Sequence, residues 1–121
     1  MQHNQSHSGI ANDKSFREAL NGGYFSYQLV TNSETNLDLI VRYWGAEWGN
    51  RKFDIYFDDE KLILEDNTGR WNQSKFVDII HHIPGSMLEN KKSVRVKFQA
   101  LDGNTAGGIY CVRLIKNNIQ Q

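Results

Sequence analysis

The sequence predicts an all-β domain, two antiparallel sheets packed as a sandwich, and three observations carry that prediction. Apolar residues recur at every second position in short runs, most cleanly at Val94, Val96, Phe98 and Ala100, which alternate with Arg95, Lys97 and Gln99. The runs are separated by clusters of turn-forming residues, as at Asn21-Gly22-Gly23, Asp58-Asp59, Pro84-Gly85 and Asp102-Gly103-Asn104. No long helical pattern is present, so the strands have only one another against which to bury their apolar faces.

Residues 1–13 are polar and aperiodic, and read as a tail or an extended segment lying on the sandwich. Ser15 to Glu18 then spells S-x-x-E, a capping box, and with Phe16, Ala19 and Leu20 on one edge it predicts a short helical turn. Phe25, Tyr27 and Leu29 mark a first strand, and 31–36 is polar loop. At the centre of the chain Leu37, Leu39, Val41 and Tyr43 share one face, and Phe53, Ile55 and Phe57 repeat the period. The loop between them holds Trp44, Gly45, Trp48, Gly49 and Asn50.

Asp58 to Lys61 is a tight turn into a returning strand at Leu62–Leu64. In the polar loop 65–74, Trp71 is the one large apolar group, either a plug or a ligand platform. Phe76 to Ile83 is strand-like and stops at Pro84, which does not suit the interior of a central strand. Residues 85–92 form a connection with room for a helical turn. In the final strand, Ile109 to Ile115, Tyr110, Val112 and Leu114 are expected on one face. The sandwich is therefore placed at 14–116, followed by a C-terminal tail at 117–121.

The chain has 121 residues, enough for one domain with a real core. Fourteen basic and fourteen acidic residues cancel, which argues against nucleic acid or an anionic membrane as partner. The single Cys111 excludes an intrachain disulfide and says little about compartment. No apolar run is long enough to span a bilayer, and the polar start lacks the apolar region of a signal peptide. A start this abrupt also suits an excised domain whose parent is exported to the periplasm or beyond.

Sugar recognition needs a flat apolar ring with planar hydrogen-bonding groups at its rim. Trp48, Asn50 and Arg51 in one loop and Trp71 in another meet that description by type, and Asn104 joins them as a rim group. The plainer reading has Trp44 continuing the core strand and Trp48 capping the sandwich. Arg42 and Arg51 are expected to pair with an acidic neighbour such as Asp54 or Glu47, or to touch an adjoining domain. Gly103, Asn104, Thr105, Gly107 and Gly108 most simply form a corner before the last strand.

No catalytic residue is assigned, since Glu47, Asp54, Asp58, Asp66, Asp78 and Asp102 show no spacing that identifies a carboxylate pair. Adjacent His81 and His82 point to opposite faces of a strand and cannot chelate together. No cofactor is expected. Asp58, Asp59 and Glu60 could lend oxygens to a structural calcium but lack a recognised ligand spacing and read as a charged turn.

Four pieces taken together, FREALNGGYFSYQL, LIVRYWGAEWGNRKFDIYFDD, VRVKFQA and GNTAGGIYCVRL, resemble the C-terminal β-sandwich region of the bacterial β-L-arabinofuranosidase-like glycoside hydrolases, family 127. The likeness runs from Arg17 to Arg113, with Glu18 where Asp is more usual and Cys111 where a small residue is common. At a coarser level the layout is similar to jelly-roll, galactose-binding-like modules. The family's catalytic helical barrel lies N-terminal to this region, so the resemblance implies no activity for this chain. It implies a non-catalytic accessory domain that supports its own catalytic domain. The alternative is a carbohydrate-binding module that takes plant-type oligosaccharides through its Trp loops.

Overall fold

The computed structural model describes residues 2–117, and positions 118–121 of the expected tail lie outside the described residues. Eight strands follow in chain order: β1 (His3–Ala11), β2 (Lys14–Val30), β3 (Leu37–Trp44), β4 (Lys52–Phe57), β5 (Glu60–Asp66), β6 (Phe76–His82), β7 (Ser93–Ala100) and β8 (Thr105–Lys116). A 3-10 turn at Gly85–Met87 fills the connection after Pro84. The strands pair in the order β5-β4-β7-β2-β8-β3-β6, every pair antiparallel, with β1 added along β2.

The ladder folds over at β2, which serves both layers. Its second half, Tyr24 to Val30, pairs with β7, and its first half meets β8 at Arg17↔Ile109 and Leu20↔Thr105. Between the halves Asn21 and Gly22 take positive φ, 49° and 79°, which breaks the pleat and lets one strand change sheets. Gly23 is required there because a Cβ would strike the Asn4 carbonyl of β1. β5 and β6, at opposite ends of the strand order, meet again on the far side, where His81 Nε2 lies 2.8 Å from Glu65 Oε2.

The core between the layers is built from the alternating residues. Leu39, Val41 and Tyr43 of β3 face Phe53, Ile55 and Phe57 of β4 and Val94, Val96 and Phe98 of β7, all fully buried. Phe25 stacks on Phe98 at 5.2 Å, and Tyr43 and Phe53 contact across the interior at 6.1 Å. Burying a side chain of this kind contributes about 1.5–3 kcal/mol, so these nine positions dominate stability.

Three expectations change. The capping box at Ser15–Glu18 does not start a helix: β2 runs unbroken from Lys14, because pairing to β1 and β8 offers these residues more than a lone helical turn can. The polar start is extended, as one of its two readings had it, but it is a full strand paired along β2 rather than a tail or a segment laid on the sandwich. It is turned back by Asn12 and Asp13, both at positive φ as a two-residue hairpin requires. Tyr110 leaves the face it was expected to share with Val112 and Leu114. A register shift opposite Arg42 and Tyr43 turns its ring outward to Phe16 and Phe76.

Candidate functional site

The connections 45–51, 67–75 and 101–104 gather at one end of the sandwich beside the bend of β2. Gly45 N–H donates to the Lys75 carbonyl, Asn67 N–H to Arg51, Thr105 N–H to Asn50 and Asn21 N–H to Asn104. The five residues singled out from the sequence all sit on these connections, in different circumstances.

Trp48 is 83% exposed and does not cap the sandwich. Asn50 is exposed and ties the loop down through its carbonyl. Asn104 is a strut, accepting from Lys52 N–H at 3.0 Å and donating to the Asp102 carbonyl at 2.9 Å. Trp71 packs on the core, stacked on Tyr43 at 5.8 Å, with the Arg70 guanidinium 4.7 Å from its ring centroid.

Arg51 is the hub of the loop. Its Nε donates to the Trp48 carbonyl at 2.8 Å and its Nη1 to the Gly107 carbonyl at 2.6 Å. Glu47 pairs with its Nη2 at 3.2 Å, and Glu18 lies 3.7 Å from its Nη1. Since its side chain is 12% exposed, Arg51 shapes the loop that presents Trp48. Arg42 on the outer face pairs with Asp78 at 2.7 Å rather than with Asp54 or Glu47.

Two carboxylates thus converge on one guanidinium. Burial pushes the Glu47 carboxyl up; Arg51 pulls it back and the negative Glu18 adds to the rise. Glu18 also holds His7 at 2.9 Å. Gly108 lies between these acids and the neighbouring rings, and a Cβ there would stand 3.2 Å from Phe16 and 3.6 Å from Glu47 Oε1. Its missing side chain keeps that space open.

Below the loops a row of aromatic rings crosses the outer face of the β2-β8-β3-β6 layer. Trp44 meets Phe76 edge-on at 5.0 Å, Phe76 meets Tyr110 at 5.0 Å, and Tyr110 meets Phe16 at 5.6 Å. All four are partly exposed, and Arg42 lies 6.0 Å over Phe76. Phase alone could have found part of this row, since Trp44 falls one position out of step with the core residue Tyr43, Phe76 one position out of step with Val77, the partner of Tyr43, and the two rings face each other across β3 and β6. Phe16 was hidden by the capping-box reading and Tyr110 by the bulge.

The acidic turn at 58–60 is occupied by the protein itself. Asp58 accepts from Arg95 N–H at 3.0 Å and pairs with Lys91 at 2.7 Å. Among the described residues there is no group of three or more His, Cys, Asp or Glu able to hold a metal ion. Among them, too, no helix is long and apolar enough to cross a membrane.

The profile of a family described as "Family of unknown function (DUF6805)" matches residues 1–115. No curated protein matches the sequence. Among solved structures, a family 35 carbohydrate-binding module from Clostridium thermocellum is similar over 96% of this chain and 92% of its own, with a TM-score of 0.70 and 15% identity. The C-terminal family 6 module of a Zobellia galactanivorans laminarinase is similar over 96% and 92%, at TM-score 0.62 and 17% identity. A family GH115 4-O-methyl-α-glucuronidase with specificity for decorated arabinogalactans is similar over 96% of this chain but 17% of its own, at TM-score 0.61 and 18% identity. At these identities the likeness shows a shared fold, the β-sandwich of carbohydrate-binding modules.

Proposed function

This chain belongs to the family of unknown function DUF6805, and from that premise we propose that it is a non-catalytic carbohydrate-binding module, holding plant-type oligosaccharides against Trp48 and the rings below it. The observation that carries this reading is the row Trp44, Phe76, Tyr110 and Phe16, partly exposed on an outer sheet face and ending beneath a loop that holds a bare indole. Cross-strand ring pairs stabilise a sheet, and a contiguous row of them left partly open to solvent also offers the surface on which sugar rings stack their C–H faces.

The polar groups beside the rings suit hydroxyls. Glu47 and Glu18 accept hydrogen bonds, and Asn50 both donates and accepts at the exposed rim. In this assignment Trp48 is the principal platform, Asn50 a rim contact, and Arg51, Asn104 and Trp71 hold the loops in place. The fold likeness to family 35 and family 6 modules supports the class of ligand.

Titration with arabinan, galactan and arabinoxylan fragments, followed by tryptophan fluorescence, tests the reading. A saturable change that Trp48→Ala and Phe76→Ala each weaken is expected. Flat titrations with every fragment would refute it.

One observation favours a second reading. The similar part of the GH115 enzyme is a small portion of a long chain, as an accessory domain would be. In that reading, as in the resemblance to the family 127 hydrolases, the ring row packs against the parent's own catalytic domain. Protection of Trp48 and Phe76 from solvent in the full parent protein, with no glycan response, would favour it over the first.

A further inference from the structure

We propose that the groove between the β1–β2 hairpin and β8 is a second binding site, for a small ligand that carries a carboxylate on a flat apolar body. The groove opens where β2 and β8 stop pairing beyond Arg17↔Ile109, and its volume is about 390 Å³, inside the roughly 300–1,000 Å³ of small-molecule pockets. Its walls are Tyr27 and Leu29 from one layer and Val112 and Cys111 from the other, with Phe16 and Ser8 at the sides.

The guanidinium of Arg17 is the one cationic group in this lining. Its Nη2 donates to Ser6 Oγ at 3.0 Å, and its Nε is closed off from solvent with no acceptor. Arg42, Arg51 and Arg70 each have a carboxylate within 3.2 Å; among the described residues Arg17, like Arg95 and Arg113, has none within ion-pair distance, and of these three only Arg17 lines the groove. An orphaned charged donor at a largely apolar wall is costly unless something supplies the acceptor. A carboxylate in the groove supplies it once the Arg17 side chain turns its Nε edge toward the opening, which also frees Nη2 from Ser6 for the second of two parallel hydrogen bonds.

The walls decide the rest of the ligand. A neutral sugar would bring several hydroxyls to a lining that offers few partners beyond Ser8, Ser15 and Tyr27. An aromatic ring instead fits edge to face with Phe16 and Tyr27 and against Leu29 and Val112. The class assigned is therefore an aromatic carboxylic acid; the groove shares Phe16 and Tyr110 with the glycan face, but the inference rests on Arg17, Tyr27 and Leu29, which play no part in that reading.

The probe is 4-hydroxycinnamate, compared with its methyl ester and with glucuronic acid, in amide NMR titrations of the whole chain. Alkylation of the free Cys111 with iodoacetamide gives a parallel readout. Saturable shifts at Arg17, Tyr27 and Val112 and slower alkylation are expected with the acid. Binding should weaken about tenfold or more with the ester and in Arg17→Gln, with partial recovery in Arg17→Lys. Equal response to acid and ester, shifts confined to Trp48, or tighter binding of glucuronic acid would each overturn the proposal, and the ester comparison holds even if the variants fold poorly.

Discussion

Replacing His81 by Ala should cost this domain about 3 kcal/mol, because it breaks the clasp that joins the two free edges of the sandwich. His81 stands on β6 and Glu65 on β5, the two ends of the strand order, and their side chains are 9% and 6% exposed. Glu65 bonds His81 at 2.8 Å through one oxygen and Arg70 at 2.8 Å through the other. Leaving a buried acceptor without its hydrogen bond costs about 1–3 kcal/mol, and more when the acceptor is charged, as the Glu65 carboxylate is. Arg70 stays in place and is partly exposed, which holds the estimate near the top of that range rather than beyond it. At about 4 °C per kcal/mol for a domain of this size, the midpoint of thermal unfolding should fall by about 12 °C.

Glu65→Gln keeps one acceptor oxygen, for Arg70, and turns an amide N–H toward His81, which accepts it in the other tautomer; it should cost about 1–2 kcal/mol. In that background His81→Ala should cost less than it does alone, by about 1 kcal/mol, the signature of a direct pair. Urea unfolding followed by circular dichroism measures all four corners of the cycle. A His81→Ala loss under about 0.5 kcal/mol, the range of surface substitutions, would refute the reasoning.

The remaining predictions concern pH, the glycine corner and the loops. Burial raises the Glu65 carboxyl, but the hydrogen bonds and charges of His81 and Arg70 outweigh it and hold it below its ordinary value. A carboxyl depressed by folding gives stability that is complete above its unfolded value of about 4.3 and is lost as pH falls through its folded value. The parent chain should therefore weaken on acidification below about pH 4.3 more than Glu65→Gln does, read by urea midpoints. Glu47 is shifted the other way, so glycan affinity should fall on acidification with a midpoint above the usual glutamate range, and this acid loss should vanish in Glu47→Gln. Gly107 has φ 119°, and a Cβ there would meet the Arg17 carbonyl at 2.8 Å. Gly107→Ala should thus cost about 1–3 kcal/mol in the same unfolding assay. Trp71→Ala should cost about 2 kcal/mol of stability, less than a fully buried ring, whereas Trp48→Ala should stay within about 0.5 kcal/mol because its ring touches so little.

The core was legible because period two is a strong signal: Leu39-Val41-Tyr43, Phe53-Ile55-Phe57 and Val94-Val96-Phe98 are buried as the alternation says. The first half of β2 was not, because Ser15 to Glu18 satisfies a helix-start rule locally while pairing with β1 and with β8, far along the chain, decides its conformation. Asn12-Asp13 did carry a signal, since both residue types tolerate the positive φ of a two-residue hairpin turn, but the polar residues around it have no apolar face to reveal a strand. Of the loop, the sequence suggested the pairing of Arg51 with Glu47, and an exposed Trp48 was one of the two readings it left open. Its ring row was not, since Phe16, Trp44, Phe76 and Tyr110 come from four strands and meet only through register and a bulge that shifts Tyr110 to the outer face.

The central claim is that the rings of the outer face and the Trp48 loop form a glycan surface. Its most direct measurement is an amide and indole NMR titration of this chain with arabinan and arabinoxylan oligosaccharides. The account predicts saturable shifts centred on the Trp48 indole, Gly108, Tyr110 and Phe76, with the core amides of β7 unmoved. Spectra unchanged at millimolar oligosaccharide, or shifts gathered on the opposite sheet around Tyr24 and Tyr56, would contradict it.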